Sequence, residues 1–190
     1  MEVITTIKER RSCRSFLTEP ISDELIEKIL EAATWAPSAA NNQPWEFIVI
    51  TNQEVKNRIH FESMICKKNI YDKSGWKWVD KYQAGFLLEA PVIIAVIGDP
   101  EKIGAHKFLE GTGTVYQMGC AAAIQNMLLA AHALDLGALW FTLFDRRVMK
   151  QTLGIDEAKE PLAQVCIGKA AGSPLQTQRK EVQKITRFIK

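Results

Sequence analysis

Along the chain, apolar positions follow a helical period in some stretches and form unbroken runs in others. Ile26, Ile29, Leu30 and Ala33 recur at i, i+3, i+4 and i+7, which predicts an amphipathic helix over residues 23–35. Ser22 supplies its N-cap, Asp23 and Glu24 set anions at the positive end of the helix dipole, and Pro37 ends it. Upstream, residues 2–10 read as a short helix ending in a basic turn. Downstream, residues 36–44 are small and polar with two prolines, which is loop chemistry ahead of a strand over 46–51.

A helix follows over 53–66, and 67–82 then shows no clean period, mixing lysines with Trp76, Trp78 and two tyrosines. The region of about 66–86 is therefore a candidate mobile flap of variable character. The run from Pro91 to Ile97, closed by Gly98-Asp99-Pro100, predicts a strand buried on both faces. Residues 112–136 are almost uniformly apolar and small, with Ala121, Ala122, Ala123, Ala130 and Ala131, so this helix can be packed on most sides. It reaches membrane-spanning length, but Gln125, Asn126, His132 and Asp135 are costly in lipid, and it reads as a core helix stopped by Gly137. A strand over 138–143, a helix over 146–153, a last strand over 163–167 and a polar tail from about 169 complete the pattern. The predicted class is α+β, a central sheet covered by helices within one domain.

Length and charge narrow the function. With 190 residues and 47% apolar content the chain builds an ordinary core, and a net charge of +2 argues against a polyanionic partner such as nucleic acid. Cys13, Cys66, Cys120 and Cys166 are widely spaced with no CxxC, which reads as reduced thiols. The first residues carry charges where a secretory signal is apolar, so the expectation is a cytoplasmic protein.

Two clusters stand out. Lys8, Arg10, Arg11 and Arg14 surround Ser12, either as a solvated basic face or as a phosphate cradle, since guanidiniums give paired donors to phosphate oxygens. Ser38, Asn41, Asn42 and Gln43 lie beside Trp45, either as an ordinary turn or as a reader of a planar polar edge. The glycines of Gly111-Thr112-Gly113 lack the third glycine of a dinucleotide fingerprint, since Tyr116 stands there. His60, His106 and His132 are isolated, without metal-ligand spacing, and no nucleophile signature occurs. The residues can hold a ligand but offer no acid, base or covalent catalysis, so a bound cofactor must supply any chemistry.

Taken in order, RRSCRSF, APSAANNQPWEFIVI and AAAIQNMLLAAHALDLGALW resemble the flavin-dependent nitroreductase family, a resemblance covering about residues 2–180. It implies an α+β fold with a central mixed sheet, and a homodimer with a long buried helix at its core and FMN at the interface. It further implies that Arg10, Arg11 and Ser12 bind the FMN phosphate and ribityl chain while Arg14 lies near the pyrimidine edge. A loop of Pro37, Ser38, Ala39, Asn41 and Gln43 would close over the cofactor of the other subunit. Trp140, Phe141 and Thr142 would run past the flavin with backbone contacts, and Arg179 would reach the phosphate from the tail. Two departures stand out: Thr177 occupies a place where a lysine is usual, with Lys180 a substitute, and Met118-Gly119 replaces an acidic position.

The implied activity is ping-pong hydride transfer from NADH or NADPH through flavin N5 to a small planar acceptor such as a nitroaromatic or quinone. Trp76, Trp78, Tyr82 and Phe86 are the expected substrate-pocket residues. The same cofactor residues would also serve a non-catalytic protein that stores or senses flavin.

Overall fold

The computed structural model describes residues 2–111 and 113–190. Its elements, in chain order, are α1 (Val3–Glu9), α2 (Asp23–Thr34), β1 (Trp45–Ile50), α3 (Gln53–Ser74), α4 (Lys77–Lys81), α5 (Phe86–Glu89), β2 (Val92–Gly98), α6 (Val115–Ala133), β3 (Gly137–Phe141), α7 (Arg146–Leu153) and β4 (Glu160–Gly168). Side chains cap several of them, Ser22 as the sequence indicates. Ser22 Oγ accepts from Leu25 N at 3.4 Å, Asn52 Oδ1 from Val55 N at 3.1 Å and Asp145 Oδ1 from Val148 N at 3.0 Å. Of the long apolar helix expected from residue 112, Thr112 itself lies outside the described residues, and the helix begins at Val115.

The strands pair in the order β1-β2-β4-β3, every pair antiparallel. The α+β class is as expected, but the sheet is not mixed: among the described residues parallel pairing is confined to one bridge between Ser12 and Ala138. β2 is buried at every position, as its unbroken apolar run requires, and a register shift at Val96/Ile97 falls opposite Pro161, which has no N–H to give the ladder.

The sheet separates two cores. On one face α2 and α6 bury Ile29, Ala33, Ala123, Ile124 and Met127 against Val92, Ile94, Val96 and Val165. On the other, Ile59 of α3, Phe86 and Leu87 of α5, Phe16 and Met149 cover Ile93, Leu139, Phe141 and Cys166. Complete burial of such side chains contributes roughly 1.5–3 kcal/mol each.

The segment expected as an irregular flap is largely helical. α3 runs on to Ser74 and ends on Gly75, whose φ of 63° suits the left-handed cap and whose N–H reaches Tyr71 O at 2.8 Å. Its last turns have no core behind them and carry an exposed Lys68–Asp72 pair at 2.6 Å, which is why no hydrophobic period marks them.

Candidate functional site

Arg10 caps the C-terminal end of α1, and the chain then runs extended along the edge of β3. Cys13 N donates to Ala138 O at 3.0 Å, Phe16 N to Glu89 Oε2 at 3.0 Å and Leu17 N to Lys169 O at 2.9 Å, while Ala171 N donates to Ser15 O at 3.0 Å. Cys13 and Phe16 turn into the core and Arg14 and Ser15 stay outside. Gly137 makes this approach possible: a Cβ there would lie 2.8 Å from Cys13 Sγ.

The tail folds back over this edge and divides the space into two hollows. One, of about 340 Å³, is lined by Arg10, Arg11, His132, Asp135, Gln176 and neighbours; the other, of about 210 Å³, by Ser12, Arg14, Ser15 and residues 172–175. Arg11 Nη2 donates to Gln176 Oε1 at 3.0 Å and its Nη1 to Arg10 O at 2.8 Å, while its Nε is buried with no partner among the described residues. The Arg10 guanidinium is held below its ordinary pKa first by burial, then by repulsion from Arg11 and Arg179. Three cations thus converge, and among the described residues none of them, nor Arg14, forms an ion pair with a carboxylate. Like charges gathered this way, with a donor left over, fit an anion that takes several hydrogen bonds at once.

The tail departure noted from the sequence has a structural answer. Thr177 Oγ1 accepts from Arg179 Nη1 at 2.7 Å, so the threonine holds the arginine that Arg10 feels. His132 stands in the sequence as an isolated histidine without metal-ligand spacing. In the structure it lines the larger hollow with a buried Nε2 that has no partner among the described residues. Its position in the last turn of α6, shortly before Gly137, was the signal available.

The loop at 36–44 lies elsewhere. It contains a 3₁₀ turn over Ala39–Asn41, with Ala40, Asn41 and Gln43 at φ of 51°, 53° and 46°. Left-handed backbone costs a non-glycine residue about 1 kcal/mol, and Ser38 offsets it by accepting from Gln43 N through Oγ at 3.0 Å and from Asn41 N through its carbonyl at 3.0 Å. Gly119 explains the second departure. A Cβ on Gly119 would stand 3.1 Å from Pro44 Cγ and 3.4 Å from Ser38 Cβ, so its absence lets the loop sit on α6. Pro37, Asn41 and Gln43 are exposed.

The loop thus rests at Gly119, near the start of α6, whereas the arginines meet α6 at Leu128 and His132, thirteen residues from Gly119 or about 20 Å along the axis. One chain does not bring the two halves of the expected site together.

On β3, Phe141 points into the core, 3% exposed, with Phe86 edge-on at 5.4 Å. Its side chain is unavailable to a ligand, leaving the backbone. Trp140 faces the other way, 39% exposed, in a hollow of about 230 Å³ with Gln117, Cys120 and Arg146, and Thr142 lies beyond the strand end, exposed. The four expected pocket aromatics form one array: Trp76 stacks on Trp78 at 6.0 Å, Trp78 meets Tyr82 edge-on at 6.4 Å, and Tyr82 meets Phe86 at 6.4 Å. Phe86 is a correction to the expected pocket: at 2% exposure, wedged between Tyr82 and Phe141, it anchors the array and touches no solvent-facing ligand. Tyr82 is half-buried; burial raises its pKa and the positive charge of Arg14 opposes that.

Residues 7–169 match the model of the nitroreductase family. The chain belongs to that family. A Methanothermobacter thermautotrophicus protein, provisionally named NADH dehydrogenase/NAD(P)H nitroreductase, is 34% identical over 92% of this chain and 80% of its own length. A 5,6-dimethylbenzimidazole synthase of Rhodospirillum rubrum is 28% identical over 84% of this chain and 77% of its own. Among solved structures, a Desulfovibrio desulfuricans protein provisionally named a nitroreductase, crystallised in complex with FMN, superposes with a TM-score of 0.77 at 28% identity, covering 100% of this chain and 98% of that one. The nitroreductase fold therefore places RRSCR at the β3 edge and AANNQP on α6, the two segments that the resemblance tied to one cofactor.

Proposed function

We propose that this chain is an FMN-dependent NAD(P)H oxidoreductase that works as a homodimer with a cofactor at each shared site. The carrying observation is the convergence of Arg10, Arg11 and Arg179, which form no ion pair among the described residues although Glu9 and Asp135 line the same hollow, with Arg11 Nε buried and unpartnered among the described residues. A phosphate monoester supplies the charge and the acceptors that this set lacks. When bound, FMN supplies the redox chemistry, accepting a hydride from NADH or NADPH and passing reducing equivalents to a planar acceptor such as a nitroaromatic or a quinone.

Each segment of the chain then has a task. Arg10, Arg11 and Arg179 grip the phosphate, and Ser12 adds a hydroxyl toward the ribityl chain. Arg14 stands where a fixed cation stabilises negative charge on the pyrimidine edge. Pro37, Ser38, Ala39, Asn41 and Gln43 serve the partner's cofactor, which accounts for their distance from the arginines of their own chain. Two copies with their α6 helices packed antiparallel bring the start of one beside the end of the other.

The surface supports such packing. α1 exposes Val3, Ile4 and Ile7, which are 66%, 52% and 49% accessible, and an apolar hollow of about 300 Å³ lies between α1 and α6, lined by Val3, Ala32, Leu129, Ala130 and Ala133. Among the described residues no helix is long and apolar enough to cross a membrane. The testing experiment is the absorption spectrum of the purified protein before and after anaerobic NADH and NADPH. A flavin spectrum that bleaches is the expected result and names the donor. Flavin that stays oxidised with both would assign a storage or sensing role, and no flavin after added FMN would overturn the reading.

A further inference from the structure

Resting on the reading that the arginine hollow takes the FMN phosphate, we infer that His132 is a further residue of that grip, one that becomes a cationic donor when FMN binds and so ties the affinity for FMN to pH. Its ring lines the same hollow of about 340 Å³ as Arg10 and Arg11, and its Nε2 is buried with no partner among the described residues. Arg11 Nε is in the same condition, whereas Arg11 Nη1 and Nη2 are engaged by Arg10 O and Gln176 Oε1. Two unmet nitrogens, one from the last turn of α6 and one from the chain just past α1, therefore belong to the walls of one space. A buried polar atom left unpaired costs free energy that a ligand oxygen in that space returns.

The charges around the ring set how it responds. Arg10 and Arg11 oppose a proton on the imidazole, and Glu9 and Asp135, which line the hollow with them, favour one. Arg179, which acts on Arg10 from the tail, adds to the opposition. The last turn of α6 adds to the favourable side, because the negative end of a helix dipole stabilises a cation. A phosphate monoester carries about −1.5 to −2 charge at neutral pH, so its entry tips this balance toward the imidazolium. Imidazole changes charge between about pH 5 and 8, whereas guanidiniums stay charged throughout. Among the described residues that line the hollow, His132 is thus the one that can couple phosphate binding to pH in that range. Riboflavin, with a hydroxyl in place of the phosphate, exerts no such pull.

The test measures Kd by flavin fluorescence for FMN and riboflavin at about pH 6.5 and 8.5, in wild type and in His132→Gln, which keeps a polar side chain that gains no proton. Free FMN titrates alike in both arms, so the comparison isolates the ring. With FMN favouring the imidazolium tenfold, wild type should gain roughly fivefold more FMN affinity on going from the higher to the lower pH than the variant does, with riboflavin indifferent in both. Calorimetry near pH 7 in two buffers should show wild type taking up about half a proton more per FMN than His132→Gln. Nitrogen NMR of the wild-type His132 ring reads the same event without a substitution: FMN should move it toward the imidazolium, and riboflavin should not. Equal pH slopes in wild type and variant, or a ring signal that FMN leaves unmoved, overturns the proposal, while FMN that still binds far more tightly than riboflavin leaves the phosphate reading intact. A protein that binds FMN no more tightly than riboflavin overturns that reading and this proposal with it.

Discussion

Arg11, two residues past the end of α1, donates from Nη2 to Gln176 Oε1 at 3.0 Å and so ties together positions 165 apart in the chain. The bond brings the tail across the β3 edge. It also uses only part of the guanidinium, since Nε remains buried without a partner among the described residues. A buried donor left unmade costs about 1–3 kcal/mol, which a ligand oxygen recovers. The same geometry that closes the hollow therefore prepares it for an anion.

Removing that grip should release the cofactor. Arg10→Ala and Arg11→Ala should each weaken FMN binding about ten- to a hundredfold, because a hydrogen bond to a charged group is worth roughly 1.5–3 kcal/mol. Arg179→Ala should act in the same direction, and Thr177→Val more weakly, by freeing the arginine it holds. Dissociation constants from flavin fluorescence decide the matter. Unchanged affinity in both Arg10→Ala and Arg11→Ala would remove the phosphate assignment.

How much of this was legible follows from where each signal resides. The Ile26, Ile29 and Ala33 stripe and the apolar run of β2 are local patterns with cores directly behind them, and both elements sit where the pattern puts them. The second half of α3 was hidden because its stability rests on capping and an exposed ion pair, neither of which leaves a hydrophobic period. The cationic cluster was visible at 10–14 but its closure was not, since Gln176, Thr177 and Arg179 join it only through the fold. Phe86 was misread as pocket because composition marks an aromatic without saying which way it faces; its place against Phe141 depends on the pairing of α5 with the sheet.

Gly98 is a close-approach glycine at the end of β2. A Cβ there would fall 2.6 Å from Leu162 Cδ1 and 2.8 Å from the Tyr116 ring, whose hydroxyl is held by Glu160 at 2.7 Å and cannot easily retreat. Gly98→Ala should therefore destabilise the protein by about 1–3 kcal/mol. Urea unfolding is the measure, and a midpoint equal to wild type would show that Tyr116 moves freely.

The thiols should respond to pH according to burial. Burial pushes Cys120 up to about 12 and Cys166 higher still, from an ordinary value of 9.0. At pH 8 roughly one Cys120 thiol in ten thousand is ionised, so alkylation of the native protein should fall on half-buried Cys66. The sign for stability follows from proton release. The folded chain keeps these protons after the unfolded chain has lost them, so their contribution is complete below pH 9 and declines above it. Melting temperatures between pH 8 and 11 should fall in wild type and fall less in Cys120→Ala. Rapid labelling of Cys120 at pH 8 would contradict the burial argument.

The dimer is tested best away from the arginines. Leu129 is half-buried on α6 and lines the apolar hollow with Val3 and Ala133, not the hollow that holds Arg10 and Arg11. Leu129→Arg places a charge on that face without altering any residue assigned to the cofactor. If the site is built from two chains, the variant should sediment as a monomer and lose FMN together, although its phosphate-gripping arginines are untouched. The coupling follows from the 20 Å along α6 that separates loop from arginines within one chain: a monomer keeps the grip on the phosphate but forfeits the lid. A monomeric Leu129→Arg protein that stays yellow with wild-type affinity would show that one chain suffices, and the assignment of Asn41 and Gln43 to a partner's cofactor would fall.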